Sequence, residues 1–224
     1  MPIYKTKNED FFKEWSSTMA YVLGFFAADG NLTRGKRNNH FIEFTSCDRH
    51  LLSEIRNALS SNHKISQRAA KRGCRRAFRL QLGSKEMFSD LIRLGFTPRK
   101  SLVLQYPSVP EGLFPDFVRG YFDGDGHVTT GFYKRKNRRT RNHILFSGFT
   151  SGTRSFLECL HKDLRKKTAM RGGALYYQKG WRLNFSNTDS IQLYKFLYTG
   201  IDTGLYLARK KRVFEKYLAS AGVA

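Results

Sequence analysis

The chain contains the same pattern twice, and this constrains its fold more than any other feature. The segment VLGFFAADG (Val22 to Gly30) returns 96 residues later as VRGYFDGDG (Val118 to Gly126). FTSCDRHLL (Phe44 to Leu52) returns as FTSGTRSFL (Phe149 to Leu157), FRLQL (Phe78 to Leu82) as WRLNF (Trp181 to Phe185), and RKSLVL (Arg99 to Leu104) as RKKRVF (Arg209 to Phe214). Matches that keep one order while their spacing drifts from 96 to 110 residues describe two structural copies with different loop lengths. A pair of prolines in QYPSVPEG marks a short linker between them and divides the chain into halves of residues 1–106 and 107–224.

Within each copy the elements run in the same order. A helix opens the first copy, capped by Ser16, Ser17 or Thr18 and ending at the Asp-Gly pair. Two strand-like stretches follow, separated by a basic turn from Arg34 to Asn39, the second of them HFIEFTS. Asp48 can then cap an amphipathic helix with apolar positions at Leu51, Leu52, Ile55 and Leu59. A second hairpin reaches AFRLQLGS, and a helix around KEMFSDLIRLG closes the copy. The second copy repeats this course and adds a last helix, LYLARKKRVFEKYLAS. The order αββαββα, taken twice, predicts an α+β fold with pseudo-twofold symmetry, two antiparallel sheets and a helical layer.

Each motif helix carries an interior glycine, Gly24 and Gly120, although such a glycine costs about 1 kcal/mol relative to alanine. The repetition predicts a close approach of two backbones, with Ala20, Gly24 and Ala27 facing Asp116, Gly120 and Asp123. Gly30 and Gly126 are placed to close the helices in the left-handed conformation. An aspartate just before them is electrically misplaced, because the exposed carbonyls already make a helix C-terminus partly negative. The same misplacement at Asp29 and Asp125 calls for a cation, and hard oxygen donors suit Mg2+. Two such sites suit a metal-dependent hydrolase, in which metal polarises the substrate and lowers the pKa of attacking water.

The partner follows from charge. Against 18 acidic residues stand 40 Lys and Arg, a formal charge of +22. Such an excess opposes compaction unless a polyanion is the usual partner, and phosphate neutralisation with counterion release is the largest sequence-independent source of affinity. On the strands, Arg79 and Gln81 alternate with Leu80 and Leu82, and Arg182 and Asn184 with Leu183 and Phe185. One face packs on helices while the other offers Arg for guanine and Gln or Asn for adenine. Basic loops surround these strands: Arg34, Lys36 and Arg37 in the first turn, Arg72 and Arg75 in the second, and Lys134, Arg135, Arg138, Arg139 and Arg141 in KRKNRRTR, a predicted hairpin tip on the DNA backbone. Cys47, Cys74 and Cys159 are widely spaced and read as free thiols of an intracellular, reducing compartment. The longest apolar run, Met19 to Ala28, is half a membrane span, so no membrane partner is expected.

The paired nonapeptides VLGFFAADG and VRGYFDGDG resemble the two LAGLIDADG motifs of single-chain homing endonucleases, and the intervening elements match that family's order over nearly the whole chain. The resemblance implies a monomer whose two sheets form a saddle over long, non-palindromic double-stranded DNA, with the motif helices packed at the centre. It further implies hydrolysis of both strands at closely spaced phosphates across the minor groove, with two or three Mg2+ ions shared between the motif ends. Asp29 and Asp125 then match the metal-binding acids, and the carbonyls of Ala28 and Gly124 the preceding ligands. The Arg-Lys pairs Arg99-Lys100 and Arg209-Lys210 are each expected at the junction following the last sheet strand of their copy; Lys100 and Lys210, with Lys211 as an alternate, match basic residues that stabilise charge at the scissile phosphate, and a phosphate contact or a helix-end role is the alternative for them. Ser46 and Ser151 match polar, water-orienting positions. Two departures stand out. Ala27 replaces the motif's first aspartate while Asp123 keeps it, which gives Asp123 a structural role. Arg119 replaces a small residue and places a basic side chain near one helix face only. The other functional class on such a fold is a binding protein, an RNA maturase acting on intron RNA or a non-cleaving DNA-binding protein.

Overall fold

The computed structural model describes residues 5–68, 76–134, 140–201 and 204–222. Its centre is a pair of helices, α1 (Ser17–Asp29) and α4 (Phe114–Asp125). Ser16 caps α1, its Oγ accepting from the Met19 N–H at 3.1 Å, and Pro115 sits in the first turn of α4, where its missing N–H costs nothing. Residues Met19 to Ala27 are all buried. A helix apolar on every side lies inside a protein, and here the partner that covers the remaining face is the other motif helix.

The two interior glycines make that pairing possible. A Cβ on Gly24 would lie 2.0 Å from the Phe117 carbonyl oxygen, and one on Gly120 the same 2.0 Å from that of Tyr21. Backbone therefore rests on backbone, as the repeated glycines predict.

Each motif helix feeds a four-stranded antiparallel sheet. The first holds β1 (Gly30–Arg34), β2 (His40–Ser46), β3 (Ile65–Arg68) and β4 (Ala77–Gly83) in the order β1-β2-β4-β3. The second holds β5 (Gly126–Lys134), β6 (Arg141–Ser151), β7 (Ala174–Tyr177) and β8 (Trp181–Ser186) in the order β5-β6-β8-β7. Helices α2 (Arg49–Ala58) and α3 (Lys85–Arg93) cover the first sheet; α5 (Arg154–Lys167), α6 (Thr188–Tyr198) and the additional α7 (Ala208–Ala221) cover the second. Asp48 caps α2 through the Leu51 N–H. The core is built from alternate strand residues, Ile42, Phe44, Leu80 and Leu82 in the first half and Leu145, Phe149, Leu183 and Phe185 in the second.

Two local expectations are corrected. Gly30 and Gly126 are not left-handed: their φ values are −89° and −84°, and each begins a strand directly. Their requirement is space, since a Cβ would meet the ring of Phe26 at 2.1 Å in one copy and that of Phe122 at 2.3 Å in the other. The Arg-Lys pairs do not follow the last strands, because α3 and α6 intervene. Arg99 precedes a 3-10 turn at Lys100–Leu102, whereas Arg209 and Lys210 lie within α7. The connection between halves is anchored by the Leu104 N–H, which donates to Thr153 Oγ1 at 3.0 Å.

Candidate active site and nucleic-acid interface

The glycine contact sets α1 and α4 side by side, so their C-terminal ends coincide. A Cβ on Gly124 would lie 2.3 Å from the Ala28 Cβ and 3.3 Å from Asp29 Oδ2, which puts the Asp29 carboxylate over the end of the other helix. Burial pushes the Asp125 carboxyl up to about 7, with the nearby charge of Asp29 adding to it and Lys100 and Lys210 opposing it. Asp29 is raised too, by burial, against the same two lysines. Neither carboxylate accepts a hydrogen bond from any described residue. Half-buried acids that repel each other and lack donors are held at a cost that a bound cation removes. Among the described residues no group of three or more His, Cys, Asp or Glu could cage a metal. An ion between Asp29 and Asp125 would thus complete its shell from water and substrate, a donor set that fits a hard divalent cation.

The two lysines reach this place from unlike elements. Lys100 Nζ donates to the carbonyls of Ala27 at 2.6 Å and Ala28 at 3.3 Å. Lys210 Nζ donates to those of Phe122 at 2.5 Å, Asp123 at 2.9 Å, Gly124 at 3.4 Å and Gly126 at 2.6 Å. Each ammonium therefore caps carbonyls at the C-terminal end of a motif helix, the alternative role for these residues, and Lys210 also holds the Gly126 carbonyl at the start of β5. Burial lowers both lysines to about 8, and the site's acids pull the other way: Asp125 and Asp29 for Lys100, Asp123 first for Lys210. One group can serve both ends, capping a helix while placing positive charge beside the paired carboxylates. The Ala28 and Gly124 carbonyls, expected to face metal, here face ammonium groups at the longer of these distances. Lys211 lies elsewhere, over the rings of Tyr206 and Tyr198.

Ser46 and Ser151 occupy matching turns. The Oγ of Ser46 accepts from the Asp48 N–H and that of Ser151 from the Thr153 N–H, each at 3.1 Å, directing the strand into the next helix. Beside it the buried Tyr121 hydroxyl, within the field of Asp125 and Asp29, donates to the Thr150 carbonyl at 2.8 Å. Asp123 is buried and its Oδ2 accepts from the Tyr21 hydroxyl and the Leu207 N–H, both at 2.7 Å. It ties α1, α4 and the start of α7 together, and Ala27 leaves the first copy without that tie. Arg119, expected on one helix face, is buried and donates to the Leu205 and Leu197 carbonyls at 2.9 and 3.2 Å and to Asp116.

Residues 16–92 match the family model described as a LAGLIDADG-like domain. None of the curated proteins matches the chain. Solved structures resemble nearly its whole length. The LAGLIDADG meganuclease I-AabMI bound to uncleaved DNA is 14% identical with a TM-score of 0.61, over 93% of this chain and 91% of that one. I-SmaMI, bound to its uncleaved DNA target in the presence of calcium ions, is 13% identical with a TM-score of 0.60, over 94% and 92%. The I-LtrWI LAGLIDADG homing endonuclease bound to target DNA is 10% identical with a TM-score of 0.60, over 95% and 90%. The chain has the LAGLIDADG fold.

On this LAGLIDADG framework the open faces of the sheets carry most of the remaining expected contacts. Arg34, Lys36 and Arg37 are exposed, with Arg34 over the Phe88 ring. Gln81 and Arg182 are half-buried on the open faces, and Arg79 joins them with its guanidinium on Glu43. Lys134 and Arg141 pair at the end of the β5–β6 hairpin. Arg72, Arg75, Arg135, Arg138 and Arg139 lie outside the described residues, as does Cys74. Asn184 departs from the expected adenine reader: it is buried, and its Nδ2 donates to the Tyr176 hydroxyl at 2.5 Å, so the exposed group at this place is Tyr176. No described helix is long and apolar enough to cross a membrane.

Sequence reasoning did not find the Tyr21–Asp123–Leu207 tie, the Arg119 anchor or the pairing of Glu43. A polar residue inside an apolar run was the available signal for Asp123 and Glu43, but their partners lie 25 to 102 residues away.

Proposed function

We propose that this chain is a site-specific DNA endonuclease of the homing type that hydrolyses one phosphodiester bond on each strand with divalent metal, Mg2+ first among them. The observation that carries the reading is the pair of half-buried, donor-free carboxylates, Asp29 and Asp125, at the abutting ends of two equivalent helices, between two sheets whose open faces carry arginines. Asp29 and Asp125 would hold the metal, which when bound supplies Lewis acidity and a more acidic water. Lys100 and Lys210, protonated below about pH 8, add positive charge where a phosphorane-like transition state gathers negative charge. The LAGLIDADG homing endonuclease I-SmaMI has been seen bound to cleaved DNA, and with calcium on an uncleaved target, which supports the same chemistry and a divalent ion for this chain.

The halves, with their boundary at 106/107, act together as one monomer. Because the open faces differ between sheets, Glu43 in one standing where Gly148 stands in the other, the target is expected to be non-palindromic. The test is selection from a randomised double-stranded DNA library incubated with Mg2+. Enrichment of one long, asymmetric cleaved site is the expected result; intact DNA with Mg2+ and with Mn2+ overturns the proposal.

A further inference from the structure

Glu43 is an acid on a face otherwise suited to a polyanion. It lies on β2 between Ile42 and Phe44, whose side chains enter the core, so its own side chain stands on the open face of the first sheet. Its cross-strand neighbours there are Asn31 on β1 and Gln81 on β4. Despite that position Glu43 is only 7% exposed. Two arginines cover it: Arg68 from β3 donates through Nη2 to Oε1, and Arg79 from β4 through Nη1 to Oε2 at 3.5 Å. Their own side chains remain 47% and 36% exposed.

A carboxylate facing phosphates opposes binding, and in a chain of +22 its place on the reading face needs a reason. Its geometry supplies one. A single carboxylate engages one terminal nitrogen of each guanidinium, while both side chains stay partly exposed. An arginine held in this way loses the freedom to swing to whichever phosphate is near, and its planar fork suits the two acceptors of a guanine edge. The equivalent position in the second sheet is Gly148, where a Cβ would already meet the Leu183 carbonyl at 2.3 Å, so the second sheet has no such buttress.

We propose that Glu43 is a positioning residue for base recognition: it presents Arg68 and Arg79 as an oriented pair of guanidiniums to base edges in one half of the target. The inference rests on the DNA-cleaving reading and deepens it. Half-site asymmetry follows from it, with the half under the first sheet holding guanines discriminated more sharply than any base under the second.

Selection from a randomised duplex library, read by sequencing, tests this with wild type, Glu43→Gln and Arg79→Lys. Glu43→Gln keeps the shape and removes the charge; Arg79→Lys keeps the charge and removes the fork. Both are expected to lose about 5- to 100-fold discrimination at the same one or two adjacent positions of one half-site, with preferences elsewhere unchanged. Binding to non-specific DNA should hold or strengthen for Glu43→Gln, which gains net positive charge. A merely structural Glu43 would instead lower the thermal midpoint and affinity while leaving the preference profile intact, and that result overturns the inference. Relaxation of different positions by the two variants overturns it as well. A wild-type protein that enriches no sequence at all overturns the endonuclease reading beneath it.

Discussion

Replacing Gly120 by alanine should destabilise this protein, although the same change in an exposed helix stabilises by about 1 kcal/mol. The added Cβ would lie 2.0 Å from the Tyr21 carbonyl oxygen and 2.8 Å from the Phe25 nitrogen, both backbone atoms that no rotamer change can move. A carbon and an oxygen tolerate approach to roughly 3.3 Å, so α1 and α4 must part by roughly 1 Å along a contact buried over most of its length. Overpacking of a core costs about 1–3 kcal/mol, and more where the backbone itself must shift. Set against the gain in helix propensity, a net loss of about 2 kcal/mol is expected, which for a chain of this size lowers the melting temperature by about 4–8 °C. Gly24→Ala should behave alike, because its Cβ also falls 2.0 Å from a carbonyl oxygen, and Gly112→Ala, with nothing within 4 Å, is the neutral control. Circular dichroism melts of the three variants decide the matter. A Gly120→Ala protein as stable as wild type would refute the claim that backbone contact at the glycines holds the halves together.

Other outcomes follow from the site. The Asp125 carboxyl is raised to about 7, above its unfolded value; such a group contributes stability that is present at low pH and lost as pH rises through about 7. Asp125→Asn should therefore raise the melting temperature of metal-free protein at about pH 8.5 by more than at about pH 5, and an equal shift at both would count against the half-buried pair. Adding Mg2+ to wild type at the higher pH should raise the midpoint by mass action, and Asp29→Asn should abolish that increase; an undiminished increase would place the metal elsewhere. Lys210→Ala should destabilise more than Lys100→Ala, because its ammonium contacts four carbonyls instead of two, of which that of Phe122 keeps the Gly126 N–H, at about 1–3 kcal/mol for each polar group left buried and unsatisfied. Equal chemical-denaturation midpoints for the two would show that these contacts contribute little.

The repeat made the architecture legible, because the same apolar spacing and the same capping residues recur in both halves. Gly24 and Gly120 betrayed the helix contact since an interior glycine has a cost that needs a reason, and Asp29 and Asp125 betrayed the site because their charge is wrong for a helix C-terminus. What stayed hidden depends on three-dimensional reach. Gly30 and Gly126 look like left-handed caps in a one-dimensional reading, whereas the rings of Phe26 and Phe122 dictate them. Lys100 and Lys210 matched as a pair, yet one arrives from a 3-10 turn and the other from α7, and no local pattern shows that both end on helix carbonyls. Alternation put Asn184 on the reading face, but the Tyr176 hydroxyl beside it takes up its amide. Glu43 carries no local mark of its role, because Arg68 and Arg79 reach it from β3 and β4.

In the proposed function the two helix-end aspartates act together as one metal-dependent cleavage centre. The most direct measurement is a supercoiled-plasmid assay carrying the selected target, run in Mg2+ with wild type, Asp29→Asn, Asp125→Asn and the double variant, each first shown to bind that target. Wild type should linearise the plasmid, the double variant should leave it supercoiled, and each single variant should cut at a rate at least about 100-fold lower, a loss of about 2.7 kcal/mol in transition-state stabilisation. Linear product from the double variant, at a rate near that of wild type, would contradict the claim.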